Sequence, residues 1–168
     1  NRDIMLRSFL LLIAYAYFTR AGSEAGAVTL ATNAVLMNFL LISGYLIDGI
    51  TTAAEQIAGR AVGAHYRPAF DRGIRLSFLW GMVLACLMAL FFLIYGNAIV
   101  AVLIKSPEVQ AHAAIYLPWA ALSPVVGLLA FHMDGVFIGA TWSRDMRNMM
   151  VLSLLGYFVA YFILPKYL

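Results

Sequence analysis

The sequence contains little charge. Only 11% of its 168 residues are Asp, Glu, Lys or Arg, whereas a soluble domain has about 25%. The single cysteine, Cys86, excludes a disulfide framework and a cysteine-rich metal site. The chain has no H-E-x-x-H motif, no G-x-S-x-G elbow and no glycine-rich phosphate loop, so we expect no enzymatic activity. Together these absences argue against a soluble enzyme.

Apolar residues are abundant instead. They make up 64% of the chain, and the mean hydropathy is +0.89. A soluble chain of about 150 residues leaves nearly a third of its surface in water, so this excess cannot all be buried in a core. Five stretches are long enough to cross a bilayer core about 30 Å thick, and they cover residues 4–21, 27–58, 74–95, 114–140 and 149–164. We predict an all-α integral membrane chain with five transmembrane helices. Because it begins at Asn1 and enters an apolar stretch at once, we expect residues 1–168 to be part of a longer protein.

The basic residues alternate from one side of the expected spans to the other. Eight fall on one side, namely Arg2, Arg7, Arg60, Arg67, Arg72, Arg75, Arg144 and Arg147. Three fall on the opposite side, namely Arg20, Lys105 and Lys166. The richer side is cytoplasmic by the positive-inside rule, which places the N-terminus of the chain in the cytoplasm. We expect the arginines inside the first span to reach the lipid headgroups, and we interpret the basic loop after the second span as a topology signal rather than a nucleic-acid patch.

Two acidic residues lie deep inside expected spans that run in the same direction. Asp48 precedes Arg60 by twelve residues and Asp134 precedes Arg144 by ten. At 1.5 Å per residue these intervals are roughly 18 and 15 Å, near the middle of a core about 30 Å thick. Acids at one depth on different helices are expected to share a cavity. Glu55 lies two turns after Asp48 on nearly the same helix face.

A carboxylate at this depth is expensive, by about 2.5–3.5 kcal/mol on insertion scales. Desolvation favours its protonated form, and a bound cation can replace the proton. We therefore take Asp134, Asp48 and Glu55 as candidates for proton or cation coupling, with Na⁺ at Asp134 as the possible metal ion. A structural role remains open, since a buried Asp can also bond a backbone group or join two helices. Candidate residues for lining a substrate cavity are Met37, Tyr45 and Phe131.

Two glycine pairs have the four-residue spacing that lets membrane helices approach closely. They are Gly59-x-x-x-Gly63 and Gly135-x-x-x-Gly139. Both lie near the cytoplasmic end of an expected span. For these glycines we favour helix packing over a direct functional role.

Several blocks of sequence together resemble one family. The opening Asn1-Arg2-Asp3-Ile4-Met5-Leu6-Arg7-Ser8 looks like the start of the second half of DinF-type proteins, a branch of the multidrug and toxic compound extrusion (MATE) transporters. Similar blocks follow at residues 33–37, 48–49, 59–64, 134–141 and 144–148, with Glu55 between them. The resemblance covers nearly the whole chain.

The resemblance implies twelve helices in two lobes in the bacterial inner membrane, with drug-like, lipophilic or cationic compounds exported in exchange for H⁺ or Na⁺. This chain would be a partial C-terminal lobe that lacks the last helix and the N-terminal lobe, its expected partner. Asp134 matches a cation-site acid of related transporters, and Asp48 and Glu55 match acids of the DinF branch. The sodium-coupled branch carries a Glu in the helix that corresponds to the first span of this chain. No acid follows Asp3 in that span here, so the resemblance does not decide between H⁺ and Na⁺ as the coupling ion. No other cofactor and no nucleic-acid partner is expected.

Other functions remain open. One is a flippase or exporter of lipid-linked amphiphiles, which a strongly basic cavity would favour. Another is a structural membrane subunit that does not transport. An intramembrane aspartyl protease also needs two aspartates at one depth, but its Tyr-Asp and Gly-x-Gly-Asp pairs are replaced here by Ile47-Asp48 and Met133-Asp134.

Overall fold

The computed structural model describes residues 2–24 and 26–163. Regular structure in these ranges is entirely helical, as the composition predicts. The helices are α1 (Arg2–Glu24), α2 (Ala27–Gly63), α3 (Arg67–Leu103), α4 (Pro107–Ala121), α5 (Ser123–Gly139) and α6 (Ser143–Ile163).

Among the described residues, two helices and one bent helix pair are suited to crossing a membrane. Helices α2 and α3 are each long and apolar enough to span it alone, and the bent pair α4–α5 qualifies as one further span. These correspond to the second, third and fourth expected spans, and the chain is an all-α membrane protein. The expected spans in α1 and α6 stay predictions, and the last residue of the fifth, 164, lies outside the described residues.

Helix α3 is longer than the expected span of residues 74–95. It begins at Arg67 because Pro68 lies in its first turn, where a missing N–H group costs nothing. It continues through Gly96 to Leu103. Gly96 does not end the helix because it packs against α4: a Cβ atom there would lie 2.8 Å from a methyl group of Leu117.

The fourth expected span, residues 114–140, is divided into two helices that meet at a 45° bend. The break falls at Leu122, between α4 and α5. Pro124 lies two residues after this break. A proline nitrogen cannot donate a backbone hydrogen bond, so the hydrogen-bond pattern of one continuous helix is interrupted there. The amide of Leu122 still bonds the carbonyl of Pro118, at 3.2 Å, so the bend is local.

Helix α2 is the centre of the bundle, since α3, α4 and α5 all pack on it. Phe39 of α2 meets Phe92 of α3 edge to face, with ring centroids 4.9 Å apart, in a cluster that includes Leu117 of α4. Ile47 and Leu128 join a second cluster further along. The contacts therefore follow one another in the same order along both units, from Phe39 and Leu117 to Ile47 and Leu128. The α4–α5 pair thus runs parallel to α2, as expected for two spans that cross in the same direction.

Helix α1 is attached differently. It packs mainly on α6, where the rings of Tyr17 and Phe158 meet at 5.0 Å. Its C-terminal end also reaches the start of α2, where Gly22 lies against Leu30. The α1–α6 pair is therefore a layer at the side of the α2–α5 bundle.

Among the described residues, two interhelical turns contain a non-glycine residue with a positive φ. His65 (φ 51°) ends the turn after α2, and Thr141 (φ 60°) ends the turn after α5. Both turns have the Schellman hydrogen-bond pattern, for example Trp142 N–H to the Phe137 carbonyl at 2.9 Å. Glycine is the usual residue at such a position because a Cβ atom is strained there.

We expect Thr141→Gly to increase the free energy of unfolding by about 1 kcal/mol, because it removes the strain of a β-branched residue at positive φ. Thr52→Gly is the matched control, since Thr52 is an exposed threonine inside α2, where glycine weakens a helix. Unfolding midpoints in detergent give the comparison. A loss of stability in Thr141→Gly as large as in Thr52→Gly would contradict the strain argument.

Candidate functional site

Asp134 lies in α5 and forms an ion pair with Arg7 of α1. The two residues are 127 positions apart in the sequence. Both side chains are largely covered, with 28% of Arg7 and 23% of Asp134 exposed. Arg7 thus has a protein partner instead of the lipid headgroup that we expected. A guanidinium group beside a carboxylate lowers the cost of holding either charge away from water.

Glu55 of α2 is the second acid of this region. Its side chain is half-buried, and its charge acts on Asp134. The structure therefore brings together two of the three acids that the sequence nominated, on two different helices. Arg7, Glu55 and Asp134 form what we call the acidic site.

Glycine packing sets the distance between α2 and α5 at the acidic site. A Cβ atom at Gly135 would lie 2.8 Å from the side chain of Thr51, and one at Gly139 would overlap the carbonyl of Glu55. A Cβ atom at Gly59 would lie 3.2 Å from the carbonyl oxygen of Gly139. Gly135-x-x-x-Gly139 is therefore a packing motif, as expected. Of the other predicted pair, Gly59 makes such a contact, whereas no atom of the described residues lies within 4 Å of a Cβ at Gly63.

Asp48 is not part of the acidic site. Its side chain is exposed, and among the described residues it forms no hydrogen bond or ion pair. The expected pairing of Asp48 with Asp134 is therefore not seen. Asp48 belongs instead to an exposed polar face of α2, which we call the polar stripe; its members are Asn38, Tyr45, Asp48, Thr52 and Gln56.

The three residues proposed to line a substrate cavity lie in different surroundings. Met37 lines a cavity of about 200 Å³ between α1 and α2, together with Tyr15 and Asn33. Tyr45 is 79% exposed, on the polar stripe. Phe131 lies against α2, where a Cβ atom at Gly44 would be 3.6 Å from its ring. Within the described residues, these three side chains do not form one common cavity.

A buried histidine lies close to the acidic site in sequence but faces another helix. His132 is 1% exposed, and its Nε2 lies 2.8 Å from the hydroxyl of Ser77 in α3. The Ser77 hydroxyl also bonds the carbonyl of Ile74, at 3.1 Å. His132 therefore links α5 to α3, while Asp134 links α5 to α1.

The acidic site has a small net charge and few groups that could bind a metal ion. Among the residues that the structure describes, no group of three or more His, Cys, Asp or Glu side chains could hold a metal ion. Two carboxylates with one guanidinium carry a single net negative charge when all are ionised. One proton or one Na⁺ neutralises that charge.

Arg7 is the functional candidate that sequence analysis missed. It was counted among the basic residues of the cytoplasmic side, because Arg near the end of a span usually extends to the headgroups. One signal was available: an acid and an arginine that both lie inside apolar spans are most cheaply accommodated as a pair. Nothing in the spacing of the two residues indicated which pair would form.

Comparison with known proteins gives the family. The profile of the MatE family matches residues 4–163, and the chain belongs to that family. It is 36% identical to the DNA damage-inducible protein F of Escherichia coli (strain K12) over 171 aligned positions, which cover 98% of this chain. The chain spans only 36% of the length of that relative. No solved structure matches the chain significantly. The resemblance to DinF-type MATE proteins is confirmed.

The glycine contacts between α2 and α5 can be tested by adding one methyl group. We expect Gly135→Ala to lower the free energy of unfolding by about 1–3 kcal/mol, because the new Cβ would overlap the α2 backbone at Thr51. Gly63→Ala is the matched control, because a Cβ atom there meets no atom of the described part of the chain within 4 Å. The comparison uses thermal unfolding of the detergent-solubilised protein. Equal midpoints for the two variants would show that the close approach is not required.

Proposed function

We propose that this chain is the C-terminal part of a cation-coupled exporter of lipophilic or cationic compounds in the bacterial inner membrane. The acidic site is the place where a proton or Na⁺ drives the transport cycle. The observation that carries the proposal is Asp134, a half-buried carboxylate on a membrane-spanning helix pair, with charged partners on two other helices. Membership of the MatE family supports a transport function for such a site.

The charge of the acidic site explains why an ion would bind there. With Arg7, Glu55 and Asp134 all ionised, one negative charge is left unbalanced in surroundings that solvate it poorly. A proton or Na⁺ that enters removes this imbalance. A bound ion biases the protein towards one conformation only if the two conformations bind it with different affinity. Because α1, α2 and α5 each contribute one charged residue, any relative movement of these helices changes that affinity.

The polar stripe on α2 supports a water-accessible path beside this site. Tyr45, Thr52 and Gln56 repeat at helical spacing along one face and are exposed. Polar groups at membrane depth face protein or water rather than lipid. We propose that this face, with Asp48 upon it, borders the substrate path between this lobe and the N-terminal lobe. We also propose that the N-terminus of the chain lies on the cytoplasmic side of the membrane.

An exporter of lipid-linked amphiphiles is less well supported. A cavity for their phosphates needs unpaired basic groups, and Arg7, the arginine in the acidic site, is paired with Asp134.

Asp134→Asn tests the proposal in the full-length protein reconstituted in proteoliposomes. We expect ethidium export driven by a H⁺ or Na⁺ gradient to fall to the level of empty vesicles, because the amide cannot exchange a cation. Asp71→Asn is the control, since Asp71 is an exposed acid whose ionic partner among the described residues is its helix neighbour Arg67, at 3.8 Å. Export by Asp134→Asn with unchanged dependence on both ions would exclude a coupling role for Asp134.

A further inference from the structure

Arg7 pairs with the carboxylate that the proposed coupling ion would need. Its guanidinium group donates to Oδ2 of Asp134 and so offsets the negative charge that would attract a cation. The second arginine of α1, Arg20, is different: it is exposed and pairs with Glu24 of the same helix, at 2.8 Å. One arginine of α1 therefore closes an interhelical site, while the other forms a local surface pair.

The charged groups around Asp134 come from two helices. Among the described residues, Arg7 of α1 and Glu55 of α2 are the charged groups that act on it. From α3, the neighbouring polar group is Ser77, which is hydrogen-bonded to His132 and not to Asp134. Helix α5 thus presents one carboxylate to one guanidinium group, with a second carboxylate nearby.

We propose that Arg7 is a tethered counter-cation, which holds the Asp134 carboxylate while no coupling ion is bound and must be displaced when a proton or Na⁺ binds. This inference depends on the coupling role proposed above for Asp134. Two positive charges cannot share one carboxylate at low cost in surroundings of low dielectric constant, so the guanidinium group and the ion exclude each other. Glu55 keeps a negative charge beside the displaced arginine.

Displacement of Arg7 has a mechanical consequence. Helix α1 packs on α6 and on the start of α2, and Arg7 ties its N-terminal half to α5. When the ion pair opens, that half of α1 loses this attachment, while the contacts of its C-terminal end remain. Ion binding at Asp134 therefore allows the α1–α6 layer to move relative to the α2–α5 bundle.

Arg7→Gln tests the competition in the full-length protein in proteoliposomes. We expect the H⁺ or Na⁺ concentration that gives half-maximal ethidium export to fall about tenfold or more, because the ion no longer competes with a neighbouring positive charge. Arg7→Met should give the same shift, since it keeps an apolar stem and removes the charge. Arg20→Gln is the matched control on the same helix and should leave the half-maximal concentration unchanged.

A reduced maximal rate with an unchanged half-maximal concentration in Arg7→Gln and Arg7→Met would overturn the proposal, since it would make Arg7 a structural link only. The result is separable from a failure of the proposed function. If Asp134→Asn retains full ion dependence, the coupling site is misassigned; if it loses that dependence while the Arg7 variants do not shift, only the counter-cation role is wrong.

A measurement that leaves Arg7 itself unaltered covers the case in which the Arg7 variants do not fold. Phenylglyoxal modifies accessible arginines, and mass spectrometry reports its reaction with Arg7. At fixed pH we expect Arg7 to react faster in Asp134→Asn than in the parent protein and, if Na⁺ is the coupling ion, faster in the parent with saturating Na⁺ than without it. Equal rates in the parent protein and in Asp134→Asn would overturn the proposal.

Discussion

Helices α2 and α5 touch through their backbones because Gly135 and Gly139 present no side chain to Thr51 and Glu55. The arrangement of the acidic site depends on this approach. It brings the carboxylate of Glu55 within electrostatic range of Asp134, although the two acids belong to different helices. A larger residue at either glycine would separate the helices and weaken every interaction that spans them.

Charge inside a membrane protein is acceptable only where it is balanced, and the acidic site is balanced incompletely. Arg7 offsets one carboxylate, and among the described residues no second basic group pairs with the other. A purely structural ion pair would need one acid and one base. In the proposed transport cycle the additional acid attracts the cation and Arg7 competes with it, so that ion binding depends on movement of α1.

Much of the fold follows from local chemistry, and the exceptions have physical causes. Apolar runs of the right length predicted the membrane helices, and the parallel course of α2 and α4–α5 followed from counting spans. The 45° bend between α4 and α5 follows from the prolines on either side of Leu122. The continuation of α3 through Gly96 does not follow from the local sequence. A glycine ends a helix or lies within it according to what packs against it, and at Gly96 the packing residue is Leu117.

For the site, the apolar stretches of the sequence predict that Asp48, Glu55 and Asp134 lie inside membrane spans, where a charged group needs a partner or water. Which of them has a protein partner depends on how the helices pack. Depth along a helix can be counted from the sequence, and on that measure Asp48 and Asp134 match. What a side chain meets depends on which helices pack beside it at its own level. Asp48 and Glu55 lie on nearly the same face of α2, yet Asp48 is exposed whereas Glu55 is half-buried beside Asp134, which pairs with Arg7 of α1.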